Sequence, residues 1–291
     1  MYTVVTHSGS FHPDDVFAVA SFQLLLGVEN VEIIRTRDES IITDGDYVVD
    51  VGGVYNHVIK RYDHHQNGAP VRKNGIPYAG FGLMWKHYGE EICHSTEIAQ
   101  VIENRLVQPI DAGDNGVNLF DLNEYEVQPF ELYHFVSLYS PAWGSGGSKD
   151  EAFVKAVDWA RSVIVRIIEK EQANLNLRQL IKETYEQAEL KQILVFKVPV
   201  PMPALIEYSD VELVVCPDDP QLNDNWTTTC VRKNYDTFES RVRFPENWAG
   251  LSGKELQKVS SISDAGFCHK ARFLFVAGSK ESALKASEQA K

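Results

Sequence analysis

The chain of 291 residues contains only four cysteines, and none of them form a Cys-x-x-Cys pair. Such sparse thiols argue against a thiolate zinc site or a disulfide scaffold, and they fit a reducing cytosol. Apolar runs such as Ile193–Phe196 are far shorter than the roughly 18–20 residues that span a bilayer. The chain also opens without a basic segment followed by a cleavable apolar stretch. We therefore expect a cytoplasmic protein that does not enter a membrane.

Positive charge is in short supply, since 28 Lys and Arg residues face 41 Asp and Glu residues and the formal net charge is −13. This balance argues against a protein that coats nucleic acid non-specifically. The charge is uneven: residues 1–225 contain 17 basic and 34 acidic side chains, whereas residues 226–291 contain 11 and 7. Either the asymmetry is random surface variation, or an acidic, cation-binding body is followed by a basic segment that meets an anionic substrate.

The pattern of apolar residues predicts an α/β fold with two domains. In the first part, strands are expected at Tyr2–Thr6, Val31–Thr36 and Asp46–Val51, and helices at Pro13–Leu26, Gly80–Cys93, Thr96–Val107, Lys149–Glu171 and Leu175–Glu189. Later strands are expected at Ile193–Val198, Val211–Cys216, Trp226–Val231 and Arg272–Ala277, before a helix at Glu281–Ala290. Strands alternating with helices are typical of a parallel sheet. We predict a parallel-sheet catalytic domain at 1–190 and a smaller α+β substrate-binding domain at 191–291.

Histidines and carboxylates cluster near the ends of the predicted strands. Five of the nine histidines fall within the first 65 residues. The candidate groups are His7, His12 and Asp14 after the first strand, Asp50 at the end of another, the tripeptide Asp63-His64-His65, and Asp111 or Asp114. Ligands of an open parallel sheet bind beyond the carboxyl ends of its strands, so we expect these groups to share one crevice.

Imidazole and carboxylate donors without thiolate suit Mn²⁺, with Mg²⁺, Fe²⁺, Co²⁺ or Zn²⁺ as alternatives. Seven or eight ligands are too many for one ion but suffice for two ions about 3.5–4 Å apart that share a carboxylate. Each group alone has an ordinary explanation: a packed histidine, a helix cap at Asp14 or Asp15, or a turn at 114–116. Their conjunction favours metal binding, because clustered carboxylates repel one another unless cations neutralise them.

Three motifs resemble the DHH phosphoesterase superfamily, and more narrowly the Myg (melanocyte proliferating gene) family. They are Thr-His-Ser-Gly-Ser-Phe-His-Pro-Asp-Asp (6–15), Val-Val-Asp-Val-Gly-Gly (48–53) and Arg-Tyr-Asp-His-His-Gln (61–66). Similarity continues through residues 111–116, Ser-Pro-Ala-Trp (140–143) and the tail around 241–287. The superfamily includes RecJ-type exonucleases, manganese-dependent inorganic pyrophosphatases and oligoribonucleases. The resemblance implies a metal-dependent hydrolase, with 3′–5′ exoribonuclease activity ascribed to eukaryotic members.

The resemblance also implies a role for each residue. The implied ligands are His7 and His12 on one ion, Asp14, His64 and Asp111 on the other, and Asp50 between them. His65 would contact the scissile phosphate, and Asp63 would orient the histidines by accepting their N–H groups. Asp114 stays an alternative to Asp111. His12 departs from the wider superfamily, which usually has Asp there, and this makes the site less anionic.

The implied mechanism is two-metal hydrolysis, in which the ions activate a shared water and neutralise charge on the phosphoryl oxygens. No GxxxxGK[ST] loop or Ser-His-Asp arrangement competes with it. Substrate phosphates would meet Arg241 and Arg243, expected on alternate residues of a strand, together with His269 and Lys270. The Gly-Gly-His segment usual in the superfamily's second domain is missing from this chain.

Taken together, these features predict a metal-dependent phosphodiesterase that degrades RNA or short single-stranded nucleic acid from its 3′ end, with two Mn²⁺ ions. One alternative is a hydrolase of pyrophosphate, a small phosphorylated metabolite or a dinucleotide. Another is a metal-bound regulatory protein without turnover. The sequence leaves a homodimer open.

Overall fold

The computed structural model describes residues 1–291 and divides into two compact units, residues 1–172 and 173–291. The first unit contains β1 (Tyr2–Thr6), α1 (Pro13–Leu26), β2 (Val31–Arg35), α2 (Glu39–Asp44), β3 (Tyr47–Val49), β4 (Tyr55–Asn56), β5 (Arg61–Tyr62), α3 (Gly80–Cys93), α4 (Thr96–Ile102), α5 (Gln108–Asp114) and α6 (Leu132–Ser137). Short 3-10 helices lie at Val28–Asn30 and His57–Ile59, and a π-helical turn at Glu103–Val107 joins α4 to α5.

The sheet of the first unit has the strand order β2-β1-β3-β5-β4. The pairs β1–β2, β1–β3 and β3–β5 are parallel, and β4 pairs antiparallel with β5 across a tight connection. Three buried strands, β1, β3 and β5, therefore end at the same edge of the sheet. This places the residues that follow them, His7, Asp50 and Asp63, side by side.

Helix α1 is the central helix of the first unit. Its residues Pro13–Gln23 are all buried, so nearly every face is covered, and it packs against α3. The helix begins at Pro13, whose ring fits the first helical position because no N–H is needed there. Asp15 accepts the backbone N–H of His12 at 2.8 Å, which caps the helix start. The helix thus begins among the residues predicted to bind metal.

Helix α7 (Lys149–Gln187) is 39 residues long. The second unit then contains β6 (Ile193–Val195), β7 (Leu213–Pro217), β8 (Trp226–Cys230), α8 (Gly253–Ser260), β9 (Ala265–Cys268), β10 (Leu274–Ala277) and α9 (Lys280–Ser287), with 3-10 helices at Met202–Leu205 and Glu246–Trp248. Its sheet order is β6-β7-β8-β10-β9, and only the β6–β7 pair is parallel. Apolar clusters cover both faces, one around Phe244 and Phe275 and another around Phe196. No helix of the chain combines the length and apolarity needed to cross a membrane.

The prediction of an α/β chain is confirmed, although both sheets are mixed rather than purely parallel. The two helices predicted at Lys149–Glu171 and Leu175–Glu189 are one helix, because neither Gly nor Pro interrupts residues 149–187. Arg241 and Arg243 lie outside any strand, so their placement on a strand face is wrong. The assignment of catalysis to 1–190 and substrate binding to 191–291 stays a prediction.

Candidate metal centre

The predicted metal ligands of the first unit come from four parts of the fold. His7 follows β1, Asp50 follows β3 and His64 lies two residues after β5. Asp111 and Asp114 lie on helix α5, so the expectation that they end a strand is wrong. These residues, together with His12, Asp14 and Asp15 at the start of α1, converge at the carboxyl end of the parallel strands. A cavity of about 660 Å³ lies at this place, lined by residues that include His7, His12, Asp50, His64, His65 and Asp114.

Asp50 lies at the centre of the cluster. Its Oδ2 atom is 3.2 Å from Nε2 of His7, and its Oδ1 atom is 3.3 Å from Nε2 of His64. Each oxygen of one carboxylate therefore faces a different histidine, which is the arrangement that a carboxylate bridging two cations requires. Asp50 adopts φ of +54°, a left-handed conformation that is uncommon outside glycine, is tolerated better by Asp than by most residues, and clusters at functional sites.

Each histidine has a further carboxylate partner. Nε2 of His7 lies 3.2 Å from Oδ2 of Asp15, and Nε2 of His64 lies 3.1 Å from Oδ2 of Asp114. Potential ligand atoms of His7, Asp15 and Asp50 all lie within 4.8 Å of one another, and so do those of Asp14, His64 and Asp114. Ligand atoms of Asp50, Asp63, His64 and His65 form a third such group, so the cluster offers overlapping sets of nitrogen and oxygen donors that meet at Asp50 and His64.

Several of these donor atoms are buried and yet lack a hydrogen bond. They are Oδ2 of Asp15, Oδ1 of Asp50 and Nε2 of His64. A buried polar atom without a partner is costly, and a folded protein rarely leaves three of them together. Imidazole nitrogen and carboxylate oxygen are ligands for divalent cations such as Mn²⁺, Mg²⁺ or Zn²⁺. The residues present therefore fit a pair of divalent cations.

Without cations, the cluster holds protons in their place. Burial opposes protonation of His7, but the carboxylates of Asp15 and Asp50, each 3.2 Å from its Nε2, outweigh it and raise the pKa of this imidazole to about 10. Burial is likewise outweighed at His64, where Asp114 and Asp50 raise the pKa to about 11. Burial and the neighbouring carboxylates raise the pKa of Asp14 well above its usual range. A cation that enters the cluster must therefore displace protons.

The Asp63-His64-His65 tripeptide is organised by its aspartate. Oδ1 of Asp63 accepts the backbone N–H groups of His64 at 2.7 Å and His65 at 3.1 Å, and it lies 2.7 Å from Nδ1 of His65. Its Oδ2 accepts the N–H of Gly53. Because the carboxylate only accepts, Nδ1 of His65 carries a proton and Nε2 is left for another partner. The side chain of His65 is 62% exposed, so a substrate can reach it.

Asp14 and Asp111 cap helix α3 from other parts of the chain. Asp14 accepts the N–H groups of Gly80 and Phe81, at 3.1 and 2.7 Å, and Asp111 accepts that of Gly82 at 3.1 Å. Three N–H groups at the start of α3, which no helical carbonyl can reach, are thereby satisfied. Helix α3 thus fixes the position of both carboxylates.

The structure separates the two candidates Asp111 and Asp114. The carboxylate of Asp111 is fully buried and lies 2.7 Å from Nη2 of Arg72, whose Nε donates to Glu103 at 2.6 Å. Asp111 belongs to none of the donor groups described above, whereas Asp114 faces His64. The arrangement favours Asp114 as a ligand and Asp111 as a structural ion-pair partner. His12 lies at the rim, with its Nδ1 3.9 Å from Oδ1 of Asp114.

Two further residues of the site were missed in the sequence. Asp15 was read only as a helix cap, although its second oxygen faces His7. Arg37 lies two residues after β2 and lines the same cavity as the metal cluster. It is exposed, and no hydrogen bond or ion pair holds its guanidinium. The signal for Arg37 was its position, because it follows a parallel strand that ends at the same sheet edge.

The predicted substrate contacts of the second unit differ in their availability. The guanidinium of Arg241 donates to the carbonyl oxygens of Ile206, Tyr208 and Val211 at 2.5–2.6 Å, so it already has partners. Arg243 and Lys270 are exposed, and His269 is half-buried and accepts the N–H of Ala271 at 3.0 Å. The role of all four in substrate binding stays a prediction.

Comparison with known proteins places the whole chain in one family. The family model MYG1_exonuc, described as an uncharacterised protein family (UPF0160), matches residues 3–290. The MYG1 protein of Chlamydia pneumoniae is 33% identical over 98% of this chain and 94% of its own length, and the mouse MYG1 exonuclease is 29% identical over 96% and 82%. A solved structure, the pGpG-specific phosphodiesterase PggH from Vibrio cholerae, aligns with 95% of this chain and 92% of its own, at 14% identity and a TM-score of 0.35. The predicted family is confirmed: the chain belongs to the MYG1_exonuc family.

Proposed function

We propose that the chain is a metal-dependent phosphodiesterase, an exonuclease that shortens single-stranded RNA from its 3′ end with two divalent cations bound in a DHH-type domain. The observation that carries the proposal is the position of Asp50, whose two carboxylate oxygens face His7 and His64 separately. Relatives from mouse, rat and human, 28–29% identical to this chain, bear the name MYG1 exonuclease. Their name and this geometry support the same chemistry.

We assign the proposed ligands from these donor groups. His7, Asp15 and Asp50 would hold one cation, and Asp14, His64 and Asp114 would hold the other with Asp50 shared between them. Divalent cations bound there would supply the Lewis acidity that generates hydroxide from water near neutral pH and offsets charge on phosphoryl oxygens.

The remaining residues of the cavity would position the substrate. Nε2 of His65 is free, because Asp63 binds the other ring nitrogen. When protonated, this nitrogen can donate to a phosphoryl oxygen. Arg37 brings an unpaired guanidinium to the same cavity, and guanidinium groups bind phosphate in a bidentate fashion. We therefore assign to Arg37 the role of a phosphate contact in the first unit.

The test is incubation of the purified chain with RNA and DNA oligomers of one sequence, labelled at the 5′ or the 3′ end, with Mn²⁺ or with chelator. We expect a ladder that shortens the 5′-labelled RNA step by step in Mn²⁺ only. Asp50→Asn should abolish the ladder, and Asp44→Asn, at an exposed acid of α2, serves as the matched control. Cleavage that persists in Asp50→Asn would refute the assignment of this carboxylate.

The alternative substrates are measured in the same assay. Pyrophosphate and dinucleotides are supplied beside the oligomers, and the products are separated by chromatography. Hydrolysis of one of these without any ladder would support a small-substrate hydrolase and overturn the exonuclease proposal. No turnover of any substrate, with Mn²⁺ bound, would support the regulatory alternative.

A further inference from the structure

A second cavity of the first unit shares two wall residues with the metal centre. It has a volume of about 580 Å³, and His12 and Asp114 line both this cavity and that of the metal cluster. Its other walls come from the end of the π-helical turn, from α5, from the segment before α6 and from the first turn of α6. We call it the side pocket.

The walls of the side pocket are mainly apolar. They include Leu106, Ile110, Leu119, Phe120, Leu132 and Tyr133. Two of these aromatic rings are left open to solvent, since Phe120 is 37% and Tyr133 is 54% exposed. Exposed apolar surface costs about 25 cal/mol per Å², so a ligand that covers these rings gains free energy. Neither ring has a part in the metal cluster.

The shape and ring geometry favour a flat aromatic ligand. The rings of Tyr133 and His12 lie 6.0 Å apart at an interplanar angle of 30°, which forms a stacked pair at the boundary between the two cavities. A volume of this size falls within the roughly 300–1,000 Å³ of small-ligand pockets. Arg105, which also pairs with Glu171 at 3.3 Å, and Glu131 add a donor and acceptors to the polar groups of His12 and Asp114. These are the features of a site for a nucleobase, which has two apolar faces and a polar edge.

We infer that the side pocket binds the base of the nucleotide whose phosphate lies at the metal centre. This inference rests on the proposed function and adds the means of recognition. Stacking on aromatic rings tolerates every base, because each base has a π-face. The pocket therefore selects for an unpaired, unstacked terminal nucleotide rather than for a particular sequence, and Tyr133 is its main contact.

The test compares variants of the pocket on substrates with and without a base. Tyr133→Ala removes a ring, and Gly113→Leu fills the pocket from α5. No atom lies within 4 Å of the position that a Cβ on Gly113 would take, and leucine favours a helix, so this variant should fold. Tyr125→Ala is the control, because Tyr125 is an aromatic residue of the neighbouring segment, is 73% exposed and does not line the pocket.

The substrates are an RNA dinucleotide and two analogues in which the 5′ or the 3′ base is replaced by hydrogen. The quantity measured is the ratio of kcat/KM for the intact dinucleotide to that for each analogue. Stacking of one base contributes about 1–3 kcal/mol, so both pocket variants should lower the ratio for one analogue roughly 5- to 150-fold. The control should keep the wild-type ratio. A ratio unchanged in both pocket variants overturns the inference.

A binding measurement separates this outcome from failure of the proposed function. Equilibrium dialysis of the same dinucleotides against the chain in chelator needs no turnover. The wild-type chain could hydrolyse no substrate and still bind the intact dinucleotide more tightly than an analogue. If both pocket variants then lose this preference, the assignment of base binding to the side pocket is supported and the exonuclease proposal fails. If sedimentation shows that the pocket variants convert a dimer to a monomer, a second copy of the chain covers the pocket and the inference is wrong.

Discussion

Asp111 and Asp114 lie three residues apart on α5, and the structure predicts opposite consequences for the same substitution at each. Asp111→Asn removes the charge that faces Arg72 but keeps an oxygen for the N–H of Gly82. Breaking a buried ion pair typically costs 3–5 kcal/mol. Arg72 retains Glu103 as a partner, so we expect a loss of about 3 kcal/mol, the lower end of that range.

Asp114→Asn should behave differently. Asp114 has no Arg or Lys partner, and its charge raises the pKa of Asp14 because the two carboxylates repel each other. Its closest basic partner is the imidazole of His64, which also faces Asp50, so its replacement should lower the free energy of unfolding in chelator by only about 1 kcal/mol, less than Asp111→Asn does. As a direct ligand, however, it should lower the affinity for Mn²⁺ by more than the roughly 10- to 100-fold typical of residues that only support a ligand.

The assay is urea unfolding in chelator together with calorimetric titration of Mn²⁺, both at pH 8. Burial raises the pKa of Asp111 to about 7 despite the opposing effect of Arg72, so its carboxylate is mainly ionised at that pH. Arg72→Met breaks the same pair from the other side and should lose about 3–5 kcal/mol. If Asp111→Asn keeps full stability and loses Mn²⁺ binding, while Asp114→Asn binds normally, the assignment of the two residues is reversed.

The site and the second unit allow four further predictions. In chelator, the raised pKa values of His7 and His64 mean that the folded chain keeps protons that the unfolded chain releases above about pH 6.5, so stability should fall as the pH rises from 6.5 towards 10. Because Mn²⁺ must displace the same protons, the affinity of the chain for Mn²⁺ should rise over this pH range. Calorimetric titration in buffers of different ionisation enthalpy should detect the released protons. A titration without proton release would contradict the presence of protons in the cluster. Arg37→Ala should raise KM for oligonucleotides several-fold at unchanged Mn²⁺ affinity, with partial recovery in Arg37→Lys, and an unchanged KM would exclude the phosphate contact. Arg241→Ala should destabilise the second unit by about 1–3 kcal/mol, because three carbonyl groups lose their hydrogen-bond donor. If the variant instead keeps full stability and loses affinity for substrate, the prediction that Arg241 binds phosphate would be favoured.

The position of the site could be predicted because it depends on local sequence. Apolar runs mark β1 and β3, and the polar residues that follow, His7 and Asp50, must then lie at the carboxyl ends of parallel strands. The tripeptide at 63–65 follows a strand of only two residues, β5, which is too short to recognise from its own pattern. In that case the motif, rather than the strand, located the residues.

What could not be predicted depends on distant partners. The proposal that Asp114 rather than Asp111 binds metal rests on Arg72, which comes from a loop nearly 40 residues earlier and pairs with Asp111. Arg241 looked like a free phosphate contact because the sequence does not show that carbonyl groups of 206–211 surround it. The sequence pattern around Asp15 predicts a helix cap, which accounts for one carboxylate oxygen, but it does not show that the second oxygen faces His7.

The two carboxylate oxygens of Asp15 have different partners, so this one side chain belongs both to the candidate metal centre and to the start of helix α1. One oxygen caps the first turn of the buried helix α1, and the other is an unsatisfied acceptor beside His7. Under the proposed function, loss of the ions would leave this carboxylate at the start of α1 with the proton of His7 as its nearest positive charge. Scarcity of metal should then loosen the first turn of α1 as well as abolish turnover.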